Sequence, residues 1–416
     1  MSDLFLTQSD LNTVREIVEV DTKEDLYLNN NLMSFMSKKP MGGVPWRIPI
    51  RLSSTALIGA DDVGALAAAA GSPTNARSTF GAFTVDPCQM VGVAKVPQAA
   101  ISASREKAGG TIDLLVDAIK DVRQRLSQRI EFMLAGNGFG GIGVFSSHTG
   151  SGPYVLQMAT LFCVQNLNVG DILVSAASDS SSSLDTGTAK ITAVDRDAAT
   201  VTVAALNSWT PNDGHTLYYA LDKLTGNVNV ASVPWGLEAW LPTVAGNRTA
   251  TFAGVDRSQD PQNLGGVLVT GAGSDILSTI NRALAKLGPK RDAMPKVAFM
   301  NDNTYAALQA QLFNKVKFES TEIEGEVNFE GIKFRTAKGS IEAATSWAIP
   351  DGMIRILSRD SFDIANVNAG ELVQSAINNG NDLVDSTDQF GATIRQWAYF
   401  QLGCKAPGLS ATCLLT

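Results

Sequence analysis

The chain has 416 residues, of which 44% are hydrophobic and 18% charged, and its formal net charge at pH 7 is −8. This length is sufficient for more than one hydrophobic core, so two or three domains are expected. The negative charge argues against a protein that wraps nucleic acid on a basic surface.

Cysteine and histidine usage argues against a metal site. The chain has only two histidines, and its four cysteines are widely spaced without a C-x-x-C pair: Cys88, Cys163, Cys404 and Cys413. We therefore expect buried free thiols, no bound metal, no disulfide framework and no cofactor. The N-terminus lacks the apolar core of a signal peptide, and the longest run of small apolar residues, 64–71, is too short to span a bilayer. No membrane partner is expected.

The first hundred residues predict an arm followed by a long hairpin. Two short helical patterns, around 11–20 and 26–36, are too small to fold alone and must dock on another surface. Extended stretches at 44–52 and 78–104 flank a segment of small residues that has little apolar surface to form a core. We expect this hairpin to lie across a neighbouring subunit. The predicted inter-subunit contacts near its base are Trp46, Ile48 and Phe80.

Residues 111–135 predict the longest helix of the chain. Apolar residues recur there at helical spacing, and the predicted core positions are Leu115, Ile119, Val122, Leu126 and Ile130. Thr111 is positioned to cap the start of the helix, and Gly136 is predicted to end it.

The stretch GNGFGG, 136–141, has the G-x-G-x-x-G spacing of dinucleotide-binding loops. In that motif the glycines leave a strand and open a helix, whereas here they follow a helix. The next acidic residue, Asp171, is also farther away than the motif requires. The pattern therefore favours a helix stop followed by an irregular loop over a nucleotide site.

The segment 164–223 differs in composition and predicts short strands, with a hairpin turn at 195–199 and a polar loop at 178–187. This indicates a small β-barrel or sandwich inserted into another domain. Beyond it, the helix 274–288, the strand KVAFM and the helix 301–312 indicate an α+β domain, and the C-terminal part returns to strands.

Three candidate chemical motifs are weak. Asp185-Thr186-Gly187 matches the aspartic protease triplet but lies in a polar tract, which favours a turn. His148 lies among serines without a nucleophile elbow, which favours a loop histidine. Asp256, Arg257 and Asp260 favour a salt-bridged turn over a metal site. No catalytic residue is predicted, and the chain is not expected to be an enzyme.

The order of the elements resembles the major capsid proteins of tailed bacteriophages with the Hong Kong 97-like fold. The resemblance is carried by Ser104-Arg105-Glu106 before the long helix, by the glycine-rich loop after it, and by the later stretches GLEAWLP, FAGVDRSQDP, KVAFMNDNTYAAL and QFGATIRQWAYFQLGCKAPGLSATCLL. It covers most of the chain.

The resemblance implies an α+β capsid fold with a long spine helix, peripheral and axial domains and an extended β-hairpin loop. The implied divisions are an N-terminal arm at 1–43, the extended loop at 44–96, a peripheral domain at 97–163, an inserted β-domain at 164–223, an axial domain at 224–345, and the C-terminal part of the peripheral domain at 346–416.

The function that the resemblance implies is a coat protein that assembles, through hexamers and pentamers, into an icosahedral shell around double-stranded DNA. Implied partners are a portal, a separate scaffolding protein and a decoration or cement protein, with no sequence-specific DNA contact. The implied location is the virion, assembled in the bacterial host cytoplasm. Two alternatives remain open: an encapsulin-like nanocompartment shell, and an oligomeric nucleotide-binding enzyme that uses GNGFGG.

Overall fold

The computed structural model describes residues 31–41, 44–52, 80–97, 114–179, 183–220, 233–271, 275–287, 297–312, 332–336, 339–367, 372, 374–375 and 391–415. The predicted helix around 11–20 and the tip of the hairpin lie outside these residues.

The described residues form both α-helices and β-strands. Its α-helices are α1 (Asn31–Phe35), α2 (Leu114–Ala135), α3 (Phe162–Gln165), α4 (Leu237–Trp240), α5 (Ala245–Thr249), α6 (Pro261–Gly265), α7 (Ile276–Lys286) and α8 (Asp302–Leu312). The first ten strands are β1 (Ser37–Pro40), β2 (Trp46–Arg51), β3 (Phe80–Val85), β4 (Cys88–Pro97), β5 (Gly143–Thr149), β6 (Tyr154–Met158), β7 (Ile172–Ala176), β8 (Thr188–Asp195), β9 (Thr200–Leu206) and β10 (Thr216–Tyr219). The others are β11 (Thr251–Phe252), β12 (Val255–Asp256), β13 (Val267–Gly271), β14 (Val297–Met300), β15 (Ile332–Thr336), β16 (Gly339–Thr345), β17 (Met353–Leu357), β18 (Phe362–Asn366), β19 (Gln374–Ser375), β20 (Gly391–Cys404) and β21 (Ala411–Leu415).

The long helix α2 packs against a five-stranded sheet. Strand β20 is the centre of this sheet: it pairs with β4 over its first ten residues and with β18 over its last five. Strand β1 pairs with β18 in parallel and so joins the arm segment to the same sheet. One face of β4 and β20 is buried beneath α2, where Gly92 leaves space for the side chain of Val122.

A second sheet has six strands in the order β13-β21-β17-β14-β16-β15. Helices α7 and α8 cover it, and their apolar residues form a separate core with the strands. The predicted boundary at residue 346 divides this sheet, because β17 and β21 belong to it while β18 and β20 belong to the first sheet. Short apolar strands do not specify in their sequence which sheet they join, so the C-terminal segment contributes to both.

Six antiparallel strands close into a barrel in the order β10-β5-β6-β9-β8-β7. The barrel begins at Gly143, whereas the sequence predicted a boundary at 164 and an irregular loop after the glycines. Strand β5 (GVFSSHT) begins with a glycine and contains two serines, a composition that does not indicate a strand. The predicted turn at 195–199 is confirmed: Asp195 Oδ1 accepts the N–H groups of Asp197 and Ala198. The α+β architecture as a whole is confirmed.

Candidate functional site: the hairpin and the exposed sheet face

The β2–β3 hairpin has two faces of different character. Its register pairs Trp46 with Val85 and Ile48 with Phe83, and paired residues of antiparallel strands project to the same side. These residues form the inner face. Residues of the other parity form an outer face that is largely exposed, and on it Phe80 has 71% of its surface accessible.

The inner face packs on the subunit's own core. Ile48 is only 2% exposed, and the indole of Trp46 lies on Gly403 of β20, where an added Cβ would overlap the ring. Strand alternation places Trp46 and Ile48 on the side that faces the subunit's own core, which argues against their predicted contact with a neighbouring subunit. Phe80 lies on the outer face and stays a predicted contact.

Aromatic side chains pack the inner face of the hairpin against the segment GLEAWLP, which contains α4. Phe83 contacts Trp240 edge-on at 5.0 Å, and Phe252 contacts Trp240 at 5.1 Å and Trp235 at 4.8 Å between ring centroids. Trp240 Nε1 donates to the carbonyl of Leu402 at 3.1 Å. Such pairs add stabilisation beyond the area that they bury, so the hairpin base has a fixed position relative to β20.

Two buried arginines, Arg257 and Arg355, bind backbone carbonyl groups of the GLEAWLP segment. The guanidinium of Arg257 lies 4.0 Å from the centroid of Phe252 and donates to the carbonyls of Ala239 and Trp240. Burial lowers the pKa of Arg257 to about 10. Arg355 donates to the carbonyl of Leu241 at 2.7 Å and forms an ion pair with Glu238.

The predicted salt-bridged turn at 256–260 is therefore a different structure. Arg257 points inward and bonds carbonyl oxygens, while the carboxylates beside it cap helices. Asp256 accepts the N–H of Ser258, and Asp260 accepts the N–H of Asn263 at the start of α6. The hydrogen bonds with Ser258 lower the pKa of Asp256.

The predicted apolar stripe of the long helix lies mostly in the core. Ile119, Val122, Leu126 and Ile130 are buried, and Leu126 and Ile130 belong to the cluster that also contains Ile48 and Phe83. Leu115 lies within α2, but its side chain is outside the described residues.

The long helix ends at Ala135, and the next residue, Gly136, donates its N–H to the carbonyl of Met133 at 3.0 Å. The left-handed conformation that often ends a helix occurs later, at Gly138 and Gly140, whose φ angles are +89° and +80°. Gly136 therefore follows the last helical residue without being the left-handed cap itself.

The GNGFGG loop is filled by the chain's own side chains. Asn137 Nδ2 donates to Asp179 Oδ2 at 3.0 Å, and Tyr218 donates its hydroxyl to Asp179 Oδ1 at 2.7 Å. A Cβ added at Gly141 would overlap the same carboxylate. The loop thus presents an anionic group where a pyrophosphate would need N–H donors.

The face of the five-stranded sheet opposite α2 is exposed in the described part of β4, away from the end of β20 on which Trp46 lies. Val91 is 45% and Val93 is 54% exposed, and they pair across the sheet with Trp397 and Arg395. Together with Tyr399 these side chains form an apolar strip with a positive charge. Exposed strips of this composition are typical of interaction surfaces.

The barrel is attached to the long helix by charged and aromatic contacts. The Arg129 guanidinium lies 3.9 Å from the ring centroid of Tyr219 on β10, and the rings of Phe132 and Phe162 stack at 5.6 Å. Asp171 is 4.0 Å from Arg125, and burial raises its pKa despite the nearby arginines. These contacts fix the position of the barrel against α2.

Asp185 of the protease-like triplet belongs to a partly buried polar network in the barrel. Asp185 Oδ2 accepts the hydroxyl of Ser175 at 2.6 Å and lies 2.7 Å from His215 Nδ1. Trp209 Nε1 donates to Ser175 Oγ at 3.1 Å. The serine thus contacts the carboxylate instead of the imidazole, an arrangement that lacks the relay of a serine triad. The network joins β7 to β10.

His148 was predicted in a loop, but it lies in β5, where its Nδ1 is 2.7 Å from Asp213 Oδ1. The four cysteines are buried and free. Burial raises the pKa of Cys88 to about 11 and that of Cys413 to about 12. Among the described residues no three metal-ligating side chains cluster, and no described helix is long and apolar enough to cross a membrane.

Sequence reasoning missed three buried charges that organise the structure: Glu131, Arg257 and Arg355. Glu131 and Arg355 each lie within an apolar run of the sequence, at 130–133 and 354–357, whereas Arg257 is flanked by Asp256 and Ser258. A charge placed within an apolar run is an available signal for a buried, bonded group, because an unpaired charge in the core is costly.

No family model matches the sequence, and no curated protein is significantly similar to it. Solved structures do match. The chain is similar to a chain of the cyanophage A-1(L) capsid asymmetric unit, with a TM-score of 0.51 and 12% identity over 93% of each chain.

Two further likenesses are weaker. A native GTA particle capsid matches with a TM-score of 0.46 and 9% identity over 93% of this chain and 90% of the other. The holo-SrpI encapsulin complex from Synechococcus elongatus PCC 7942 matches with a TM-score of 0.45 and 8% identity over 93% and 86%. Because both scores are below 0.5, the fold is assigned on the cyanophage structure, which confirms the Hong Kong 97-like fold.

Proposed function

We propose that this chain is the major capsid protein of a tailed bacteriophage and assembles into the icosahedral head shell around double-stranded DNA. The observation that carries the proposal is the match of nearly the whole chain to a cyanophage capsid chain. Hexamers and pentamers of this subunit are the expected building blocks, because closed symmetry repeats each contact around a ring.

The surface of the isolated subunit supports the proposal. Phe80 on the outer face of the hairpin and the strip around Val91 and Val93 are apolar and uncovered in the described residues. The hairpin supplies an exposed ring and two arginines, Arg47 and Arg51, and the sheet face supplies aliphatic and aromatic side chains. In an assembled shell, neighbouring copies of the chain would cover both surfaces.

The domain roles follow from the same proposal. Residues 1–43 act as the arm, 44–96 as the extended loop, the α2 layer with the five-stranded sheet as the peripheral domain, and the six-stranded sheet as the axial domain. The barrel is the inserted domain, and we place its start at Gly143. A portal, a scaffolding protein and a decoration protein are the further partners, and the virion is the location after assembly in the host cytoplasm.

The net charge of −8 supports a container with no sequence-specific DNA contact. A nucleotide-binding enzyme is the less favoured function, because Asp179 fills the glycine loop. Isothermal calorimetry with NAD and ATP tests that alternative directly: saturable heat that disappears in a Gly141→Val variant would favour the enzyme.

The second candidate is an encapsulin-like compartment, the alternative that the resemblance in the sequence leaves open. The contents of native particles separate the two. Particles treated with nuclease and then opened should release protected double-stranded DNA of uniform length if the chain is a phage coat protein. Release of one enclosed enzyme without protected DNA would assign the chain to a compartment instead.

A further inference from the structure

Glu131 of the long helix is completely buried and faces the arm helix α1. Its Oε1 accepts the N–H of Leu32 at 2.9 Å, and its Oε2 accepts the N–H of Met33 at 2.8 Å. Ser346 donates its hydroxyl to Oε1 at 3.2 Å. One carboxyl group therefore joins three segments that are far apart in sequence: the arm, the long helix and the turn after β16.

The bonded N–H groups belong to the first turn of α1, where backbone donors have no partner within the helix. Asn31 Nδ2 adds a bond to the carbonyl of Thr345 at 2.8 Å. The remaining attachment is apolar: Leu32, Met33, Phe35 and Met36 are buried, and Phe35 contacts Phe299 edge-on at 5.1 Å. Glu131 is thus the ionisable anchor of a segment otherwise held by packing.

The charged groups around Glu131 are engaged elsewhere. The segments that enclose it, Asn31–Phe35, Val297–Met300 and 345–349, contain no charged residue. On its own helix, Arg125 pairs with Asp121 and Asp171, and Arg129 stacks on Tyr219. On β16, Glu342 pairs with Lys333, and on β1, Lys39 pairs with Asp363. Hydrogen bonds are what hold the carboxyl in place.

Desolvation by burial raises the pKa of Glu131 from 4.5 to about 7, against the opposing effect of the bonds from Leu32, Met33 and Ser346. A carboxyl whose pKa is raised in the folded state adds stability that is fully present below the unfolded pKa. That stability is lost as pH rises through the folded pKa. The affected window for this group lies between pH 4.5 and about pH 7.

We propose that Glu131 is a proton-dependent latch that holds residues 31–36 tightly on the subunit when it is protonated and loosens them when it is ionised. In the protonated state the group carries no buried charge, and Oε2 keeps the N–H of Met33. In the ionised state the buried charge gains hydration only if the arm segment lifts away. The latch thus couples solution pH to arm docking.

Hydrogen–deuterium exchange of the full-length protein tests this latch. Protection of peptides covering 31–36 is measured from pH 5 to pH 8, corrected for intrinsic exchange and compared with a barrel peptide covering Ile172–Ala176. We expect arm protection to fall by up to about tenfold per pH unit and to level off above about pH 7. Arm protection that does not change between pH 5 and pH 7 would overturn the proposal.

Three variants separate the latch from a purely structural role. Glu131→Gln should make arm protection independent of pH, whereas Glu342→Gln, a carboxyl on β16 outside the latch, should keep the wild-type profile. Ser346→Ala removes a hydrogen bond that favours the ionised form of Glu131. The pH above which arm protection stops changing should therefore be higher in this variant. A folded Glu131→Gln variant that keeps the wild-type dependence of arm protection on pH would overturn the latch. If Glu131→Gln does not fold, the same dependence in Ser346→Ala as in the wild type would overturn it.

Discussion

The indole of Trp46 lies on Gly403 of β20, at a position where the central strand of the sheet has no side chain. This contact fixes the base of the hairpin to the subunit from which it extends. Only the outer face of the hairpin is left for neighbours, and Phe80 is its most exposed large apolar residue.

Replacing Gly403 with alanine should destabilise the subunit by about 1–3 kcal/mol, because the added methyl group overfills a packed core. Thermal unfolding followed by circular dichroism measures the change. Gly246→Ala is the matched control, since no atom lies within 4 Å of the Cβ added there. Equal melting temperatures for the two variants would show that Trp46 does not need the space at Gly403.

Two phenylalanines on strand β3 separate assembly from folding. Phe83→Ala should cost about 3–5 kcal/mol of stability, because Phe83 is fully buried beside Trp240. Phe80→Ala should change subunit stability by less than about 0.5 kcal/mol and reduce the yield of closed shells. Sedimentation and urea unfolding measure the two properties. A normal shell yield from Phe80→Ala would remove Phe80 from the interface.

Leu126→Asp should prevent folding. Leu126 is buried in the middle of α2, and an unpaired carboxylate there costs several kcal/mol, comparable with the net stability of a domain. Gln124→Asp introduces the same group at an exposed position two residues earlier and should give soluble protein. The yield of soluble folded protein is the measurement, and a well-folded Leu126→Asp variant would contradict the packing of α2 against the sheet.

Removal of the barrel should succeed only at its structural boundaries. Gly143 pairs with Leu217, so the two ends of the barrel lie side by side and a short Gly/Ser linker can replace 143–219. A deletion of 166–221 would leave β5 and β6 without partners and should give insoluble protein. Solubility and circular dichroism of both deletion variants decide the matter. The opposite ranking would show that β5 and β6 belong to the rest of the subunit.

Local patterns in the sequence predicted the elements that carry their own signals. The spacing of apolar residues gives α2, and the predicted helix 274–288 corresponds to α7, whose first turn Asp275 caps by accepting the N–H of Ser278. The strand KVAFM and the turn at 195–199 follow in the same way. These features depend on neighbours within a few residues, which the sequence displays directly.

Long-range pairing was less visible. The sequence did not show that β5 joins the barrel, or that β21 pairs with β13 and β17, because these partners are far apart along the chain. Placing Trp46 and Ile48 on the face opposite Phe80 required the register of β2 against β3, and which face is buried depends on Gly403 and Trp240. The inward orientation of Arg257 likewise depends on the carbonyls of Ala239 and Trp240.

Negative-stain electron microscopy of the purified full-length protein is the decisive test of shell assembly. We expect closed shells of uniform diameter built from rings of subunits, and fewer shells from Phe80→Ala at equal subunit stability. A folded protein that stays monomeric, or that forms only small soluble oligomers under all assembly conditions, would contradict the assignment as a shell-forming subunit.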